Sequence, residues 1–158
     1  RIKNLNAKPL QEISFKIPEK NMPNTFTKIY FHVVFCTKNK SPLIHPDMEL
    51  ALYKYINGIA VNIGANILAI GGISNHIHIS ASLPAKLALS EFAREIKGGS
   101  SWWLNGQGYR FYWQQGYSAF TIHESLLPTL KKYILNQKKH HETESLEAEE
   151  KRLFGIKN

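Results

Sequence analysis

"ISNHIHISASL", residues 73 to 83, alternates side-chain character from His76 onward. In an extended chain, successive side chains point to opposite faces. Ile77, Ile79, Ala81 and Leu83 therefore share one face, and His76, His78, Ser80 and Ser82 share the other. The apolar face must be covered by helices, which turns the histidines towards the opposite side of the sheet. Two strand residues one apart stand about 7 Å from each other, so the two imidazoles can converge on one metal ion. The plainer alternative is a pair of exposed strand histidines.

The neighbouring segments fit around this strand. "ANILAIGG" (65–72) is a short apolar strand just upstream, and Pro84 stops the histidine strand downstream. A helix over about 86–104 turns Leu89, Phe92, Ala93 and Ile96 inward. "TKIYFHVVFCTK" (27–38) alternates as a half-buried strand, with Ile29, Phe31, Val33 and Phe35 opposed to Lys28, Tyr30 and His32. Residues 47–63 place Leu52, Tyr55, Ile56, Ile59 and Ile63 at helical spacing, and Gly64 stands where a helix C-cap belongs. "YRFYWQQGYSAFTI" (109–122) is aromatic and β-prone, with Gly116 marking a bend or bulge. A last helix spans about 124–141 and accommodates Pro128 in its first turn.

The predicted order is βαββαβ plus one helix. This is an α+β fold of the ferredoxin-like, RRM-like kind: an antiparallel sheet with helices on one face and a C-terminal helix. The second sheet face is expected to stay open, as in many nucleic-acid binders.

A chain of 158 residues suits one domain. Residues 22–141 form the expected domain. Residues 1–21 are polar and irregular, with Pro9 and Pro18, and read as an N-terminal extension outside the core. Met22 then lies near the natural start; a real N-terminal arm is the alternative. Residues 142–158 read as an acidic tail, with five Glu between 142 and 150. No apolar run approaches the roughly 20 residues needed to span a bilayer, and no apolar signal-peptide segment is visible. Cys36 is the one cysteine, which excludes an internal disulfide and suits a reducing cytoplasm. The net charge of +8 and pI near 9.6 point to a polyanionic partner, nucleic acid before acidic membrane.

The last helix carries the second set of candidate residues. Leu126, Leu130, Tyr133 and Gln137 fall close together on one face at 100° per residue. Tyr133 borders the apolar stripe of Leu127, Leu130 and Ile134; taken alone it reads as a boundary core residue, and Gln137 as a solvated one. Lys131, Lys132, Lys138 and Lys139 flank the pair, with no acidic residue between 126 and 141.

Together these segments resemble the single-tyrosine HUH transposases of the insertion-sequence-200 type. His76-Ile77-His78 matches the HUH element, a bulky apolar residue between two histidines. Tyr133 and Gln137 match the Tyr-x-x-x-Gln of the family's C-terminal helix. "REIKGGSS" (94–101) and "FYWQQGYSAF" (111–120) also resemble the family's second helix and aromatic segment. The resemblance covers about 25 to 141. Many relatives carry Pro-Asp before the first histidine, where this chain has Ser74-Asn75.

The resemblance implies DNA strand cleavage and rejoining with Tyr133 as nucleophile. It implies His76, His78 and Gln137 as ligands of Mg²⁺ or Mn²⁺, and a 5′-phosphotyrosine intermediate. A phenol with a pKa of about 10 is ionised in roughly one molecule in a thousand at neutral pH, so nearby cations should favour the phenolate. The implied partners are single-stranded DNA, recognised with help from hairpins, and a second copy of the chain; no nucleotide cofactor or membrane is expected. Lys131, Lys132, Lys138 and Lys139 are candidate phosphate contacts. Tyr109, Phe111, Tyr112, Trp113 and Tyr117 serve either base stacking or packing, and Trp102 and Trp103 are assigned to packing. Two other readings stay open: a host-domesticated relative that acts on hairpin repeats, and a non-catalytic RRM-like nucleic-acid-binding module. A metallohydrolase without a covalent step is poorer, because no carboxylate lies near the histidines in sequence.

Overall fold

The computed structural model describes residues 26–155. The expected extension over 1–21 lies outside these residues, as do the last three positions of the acidic segment.

Four strands form one sheet in the order β2-β3-β1-β4, every neighbouring pair antiparallel. They are β1 (Tyr30–Cys36), β2 (Asn66–Ile73), β3 (His76–Ser82) and β4 (Ser118–Ile122). Helix α1 (Pro46–Asn62) links β1 to β2, and α2 (Leu89–Gly106) links β3 to β4. This is the expected βαββαβ arrangement, with the histidine strand in the middle of the sheet.

The apolar stripe of each element explains the first layer. Val33 and Phe35 of β1, with Ile77, Ile79 and Ala81 of β3, are fully buried against Met48, Leu52 and Ile56 of α1 and Phe92 and Ile96 of α2. Gly64 ends α1 at φ +79°, where a side chain would be strained. In α1 it is Tyr53 that is buried; Tyr55 instead stacks on Trp103 with ring centroids 4.6 Å apart.

Two expectations for this half need correction. The aromatic segment 109–122 forms a strand only over its last five residues. Before that, the Asn105 side chain bonds both backbone groups of Phe111, replacing a ladder partner. Phe111 and Trp113 then turn into the core, where Trp113 Nε1 donates to Ser100 Oγ at 2.9 Å. Trp102, assigned above to packing, lies on the outer side of α2 and is 74% exposed.

The larger correction concerns the second sheet face, which is not open. Three helices cover it: α3 (Leu127–Leu135), α4 (Gln137–His140) and α5 (Leu146–Phe154). The expected continuous helix over 124–141 is instead a 3-10 turn followed by α3 and α4, with a break at Asn136. Leu130 and Ile134 of α3 bury against Ala69 of β2. Gly71 permits that approach, since a Cβ there would collide with the Ile134 carbonyl oxygen. Segment 142–158, read by its charge as a tail, contains α5, capped by Ser145 Oγ accepting from Ala148 N–H and ended by Gly155 in the left-handed region.

Candidate active site

Beneath these three helices lies a layer of buried polar side chains. His32 from β1 and His76 and His78 from β3 stand on the same sheet face, and the two HUH histidines are fully buried. Polar residues on a strand ordinarily mark the solvated face of an antiparallel sheet; here they are covered because they bond one another and the helices above. Burial first, then the neighbouring imidazole charge, pushes the pKa of His32 and of His76 down to about 3. Burial does the same for His78, with His141 and His140 next. All three rings are therefore neutral, each with one protonated and one lone-pair nitrogen.

The hydrogen bonds orient these rings. His76 Nδ1 lies 2.8 Å from Asn75 Oδ1. An amide oxygen only accepts, so Nδ1 carries the proton and Nε2 is left bare, facing inward. Asn75, the departure from the family's Pro-Asp, thus still provides an acceptor for this ring. His78 Nδ1 pairs with His32 Nε2 at 2.8 Å, and the two rings stack. His78 Nε2 is buried and makes no hydrogen bond, although Glu149 Oε1 lies 3.5 Å away.

Gln137 is also buried. Its Oε1 lies 3.3 Å from His76 Nε2, and its Nε2 donates to Glu149 Oε1 at 3.3 Å. Tyr133, one helical turn earlier, is half-buried and sits edge-on to His78 and His32 at 5.6 and 6.0 Å between centroids. Its hydroxyl donates to Glu149 Oε1 and receives a hydrogen bond from Arg152 Nη2 at 3.3 Å. The structure thus brings Tyr133, His76, His78 and Gln137 together within a single chain. It does not bring the lysines to the hydroxyl. Lys131, Lys132, Lys138 and Lys139 are all exposed, and Lys138 pairs with Glu49 at 2.6 Å. Arg152 takes the place beside Tyr133.

Four residues in or beside this layer were not singled out in the sequence: buried His32 and Glu149, half-buried His141 and exposed Arg152. Glu149 is 1% exposed, and burial raises its pKa against the opposing pull of His76 and Arg152. Its Oε2 lies 3.1 Å from His141 Nε2 and 3.5 Å from His76 Nε2. The statement that no carboxylate neighbours the histidines holds along the chain but fails in space. A signal for α5 was present: Ser145 as cap, acidic residues in the first turn, Lys151 and Arg152 in the last, and Gly155 as stop.

Ligand atoms from His76, His78 and Glu149 all lie within 4.8 Å of one another. Two neutral imidazoles with a carboxylate are a donor set for a divalent transition metal.

Comparison with known proteins identifies the family and the fold. Residues 25–137 match the family model described as "Transposase IS200 like". The transposase for insertion sequence element IS200 of Salmonella typhimurium is 24% identical over 127 residues, spanning 75% of this chain and 83% of that protein. The ISDra2 transposase TnpA of Deinococcus radiodurans is 20% identical over 124 residues, spanning 70% and 84%. Among solved structures, a candidate transposase from Deinococcus radiodurans superposes with a TM-score of 0.60 at 18% identity, covering 75% of this chain and 97% of the other. A REP-associated tyrosine transposase bound to a REP hairpin gives 0.59 at 18% identity, covering 77% and 74%. With 113 of its residues inside the family match, this chain belongs to the IS200-like transposase family.

Proposed function

We propose that this transposase cleaves and rejoins single-stranded DNA with Tyr133 as nucleophile and a divalent cation at the HUH histidines. The observation that carries the reading is that the Tyr133 hydroxyl, His76, His78 and Gln137 all border one buried carboxylate, Glu149. The site fits a cation, because His78 Nε2 is an orphaned buried atom facing the Glu149 carboxylate, within ligand reach of His76. His76, His78 and the Gln137 amide oxygen would hold Mg²⁺ or Mn²⁺. The ion supplies positive charge and orientation to the scissile phosphate.

The remaining steps belong to side chains. Arg152 Nη2 donates to the Tyr133 oxygen and sets a positive charge beside the attacking atom. Glu149 accepts the hydroxyl's hydrogen bond and is placed to take its proton. The Tyr133 oxygen bonds phosphorus as the bond from phosphorus to the 3′ oxygen breaks. That oxygen leaves with a proton as a 3′-OH, and the 5′ phosphate stays on Tyr133. One ester replaces another, so rejoining by the reverse attack needs no nucleotide cofactor.

The substrate in this reading is single-stranded DNA carrying hairpins, supported by the basic balance of the chain and by the hairpin-bound structural neighbour. Lys131, Lys132, Lys138 and Lys139 would contact phosphates. One nucleophilic tyrosine per chain and two cleavages per excision call for a homodimer, each copy carrying its own Tyr133 over its own histidines. A cytoplasmic setting suits the lone Cys36, and no described helix is long and apolar enough to cross a membrane. The covered sheet face speaks against an RRM-like binding module, whose stacking surface would have to be exposed. The hairpin-bound neighbour favours one second reading, action on hairpin repeats in a host role with the same chemistry.

The test is incubation with single-stranded DNA from the flanks of the encoding gene and Mn²⁺. A protein–DNA band that survives boiling in detergent and disappears with protease is the expected result. Cleavage without any covalent band would contradict the reading.

A further inference from the structure

We propose that Glu149 and His141 complete the divalent-cation centre, so that the chain beyond Gln137 supplies a carboxylate and a third imidazole to it. The inference rests on the preceding reading that His76 and His78 hold a cation. It goes further because both residues lie outside the family match, which ends at Gln137.

The argument is an accounting of protons. His141 Nδ1 lies 2.8 Å from the backbone carbonyl oxygen of Glu144. A carbonyl only accepts, so Nδ1 carries the hydrogen and Nε2 of the neutral ring is bare. His76 is fixed the same way by Asn75 Oδ1. These two bare Nε2 atoms face each other at 3.1 Å. Glu149 Oε2 stands 3.1 Å from one and 3.5 Å from the other, and Gln137 Oε1 stands 3.3 Å from His76 Nε2. With the rings neutral and Glu149 ionised, four acceptors therefore meet with no donor among them, whereas buried acceptors in folded proteins are ordinarily paired. A proton on either imidazole would satisfy one contact. A divalent cation between them satisfies all four.

Two further observations point to the same place. His78 Nε2 is buried without a hydrogen bond and faces Glu149. The two Glu149 oxygens are also differently engaged. Oε1 accepts from Tyr133 and Gln137, which leaves Oε2 as the atom turned to His76 and His141. The Arg152 guanidinium bonds Glu144 and Tyr133. Glu149 thus links the tyrosine hydroxyl to the cation centre through one carboxylate. Imidazoles with a carboxylate suit Mn²⁺ better than Mg²⁺.

The test is Mn²⁺ binding to the full chain, read from the electron paramagnetic resonance of free Mn²⁺ without DNA. Wild type should bind one ion, and His76→Ala should abolish binding. Glu149→Gln and His141→Ala should each weaken it by about tenfold or more, since even outer-shell partners are worth roughly 10–100-fold. A second readout needs no variant: saturating Mn²⁺ should slow amide hydrogen exchange across α5 in the wild type. If Glu149→Gln and His141→Ala bind as wild type while His76→Ala does not, or if α5 exchange ignores Mn²⁺, the inference is overturned and the HUH site stands. If wild type binds no Mn²⁺, both fail together.

Discussion

The two faces of the sheet are held by different physics. Under α1 and α2 the strands present Val33, Phe35, Ile77 and Ile79, and cohesion comes from non-directional burial of apolar surface. Under α3, α4 and α5 the same strands present His32, His76 and His78, with Ala69, Leu130 and Ile134 as a small buried apolar cluster beside them. There, cohesion depends on hydrogen-bond geometry and on Tyr133, Gln137 and Glu149 arriving from helices. One face stabilises the domain; the other places reacting groups, and a small displacement matters more there than a lost contact.

Phe92→Ala tests the first face hardest. Its fully buried ring leaves a cavity that should cost about 3–5 kcal/mol, seen as a shifted denaturant midpoint. Adduct formation per folded molecule should stay near wild type. Gly71→Ala tests the second face in the opposite sense. The new methyl must push α3 away at the Ile134 carbonyl, costing about 1–3 kcal/mol. Because Tyr133 precedes Ile134, the adduct rate should fall by roughly 100-fold, the expected penalty for about 1 Å of misplacement. Equal losses of stability and activity in both variants would erase the contrast between the faces. The smallest effect is expected at the surface. The double variant Lys131→Ala, Lys139→Ala should lower the slope of log affinity against log salt for single-stranded DNA by about 1.4, roughly 0.7 per lost contact. An unchanged slope would remove these lysines from the DNA-binding face.

The first face was legible in the sequence because period-2 and period-3.6 patterns report apolar burial directly. The alternation in 73–83 and 27–38 gave the two central strands and the side on which α1 and α2 pack. The same alternation placed His76 and His78 together but misjudged their surroundings, since a polar strand face ordinarily means water. Tyr133 and Gln137 stood out through their spacing and the resemblance. His32 did not, because a lone strand histidine carries no signal until its register opposite Ser80 sets it beside His78. Glu149 and Arg152 were hidden by reading 142–158 through its charge alone, and His141, at the end of the expected helix, carried no spacing signal. The caps Ser145 and Gly155 mark α5, but nothing local says that Glu149 turns inward. That choice is made by the histidines, more than 70 positions away.

The most direct test of the account is Tyr133→Phe. The substitution keeps the ring against His78 and His32 and removes only the hydroxyl that Glu149 and Arg152 address. The variant should fold, bind Mn²⁺ and bind single-stranded DNA, yet form no covalent adduct. In the wild type, a label on the 3′ side of the cut should stay with the protein, and peptide mapping should place it on the peptide containing Tyr133. An undiminished adduct in the Phe variant, or a phosphodiester on another of the seven tyrosines, would contradict the assignment.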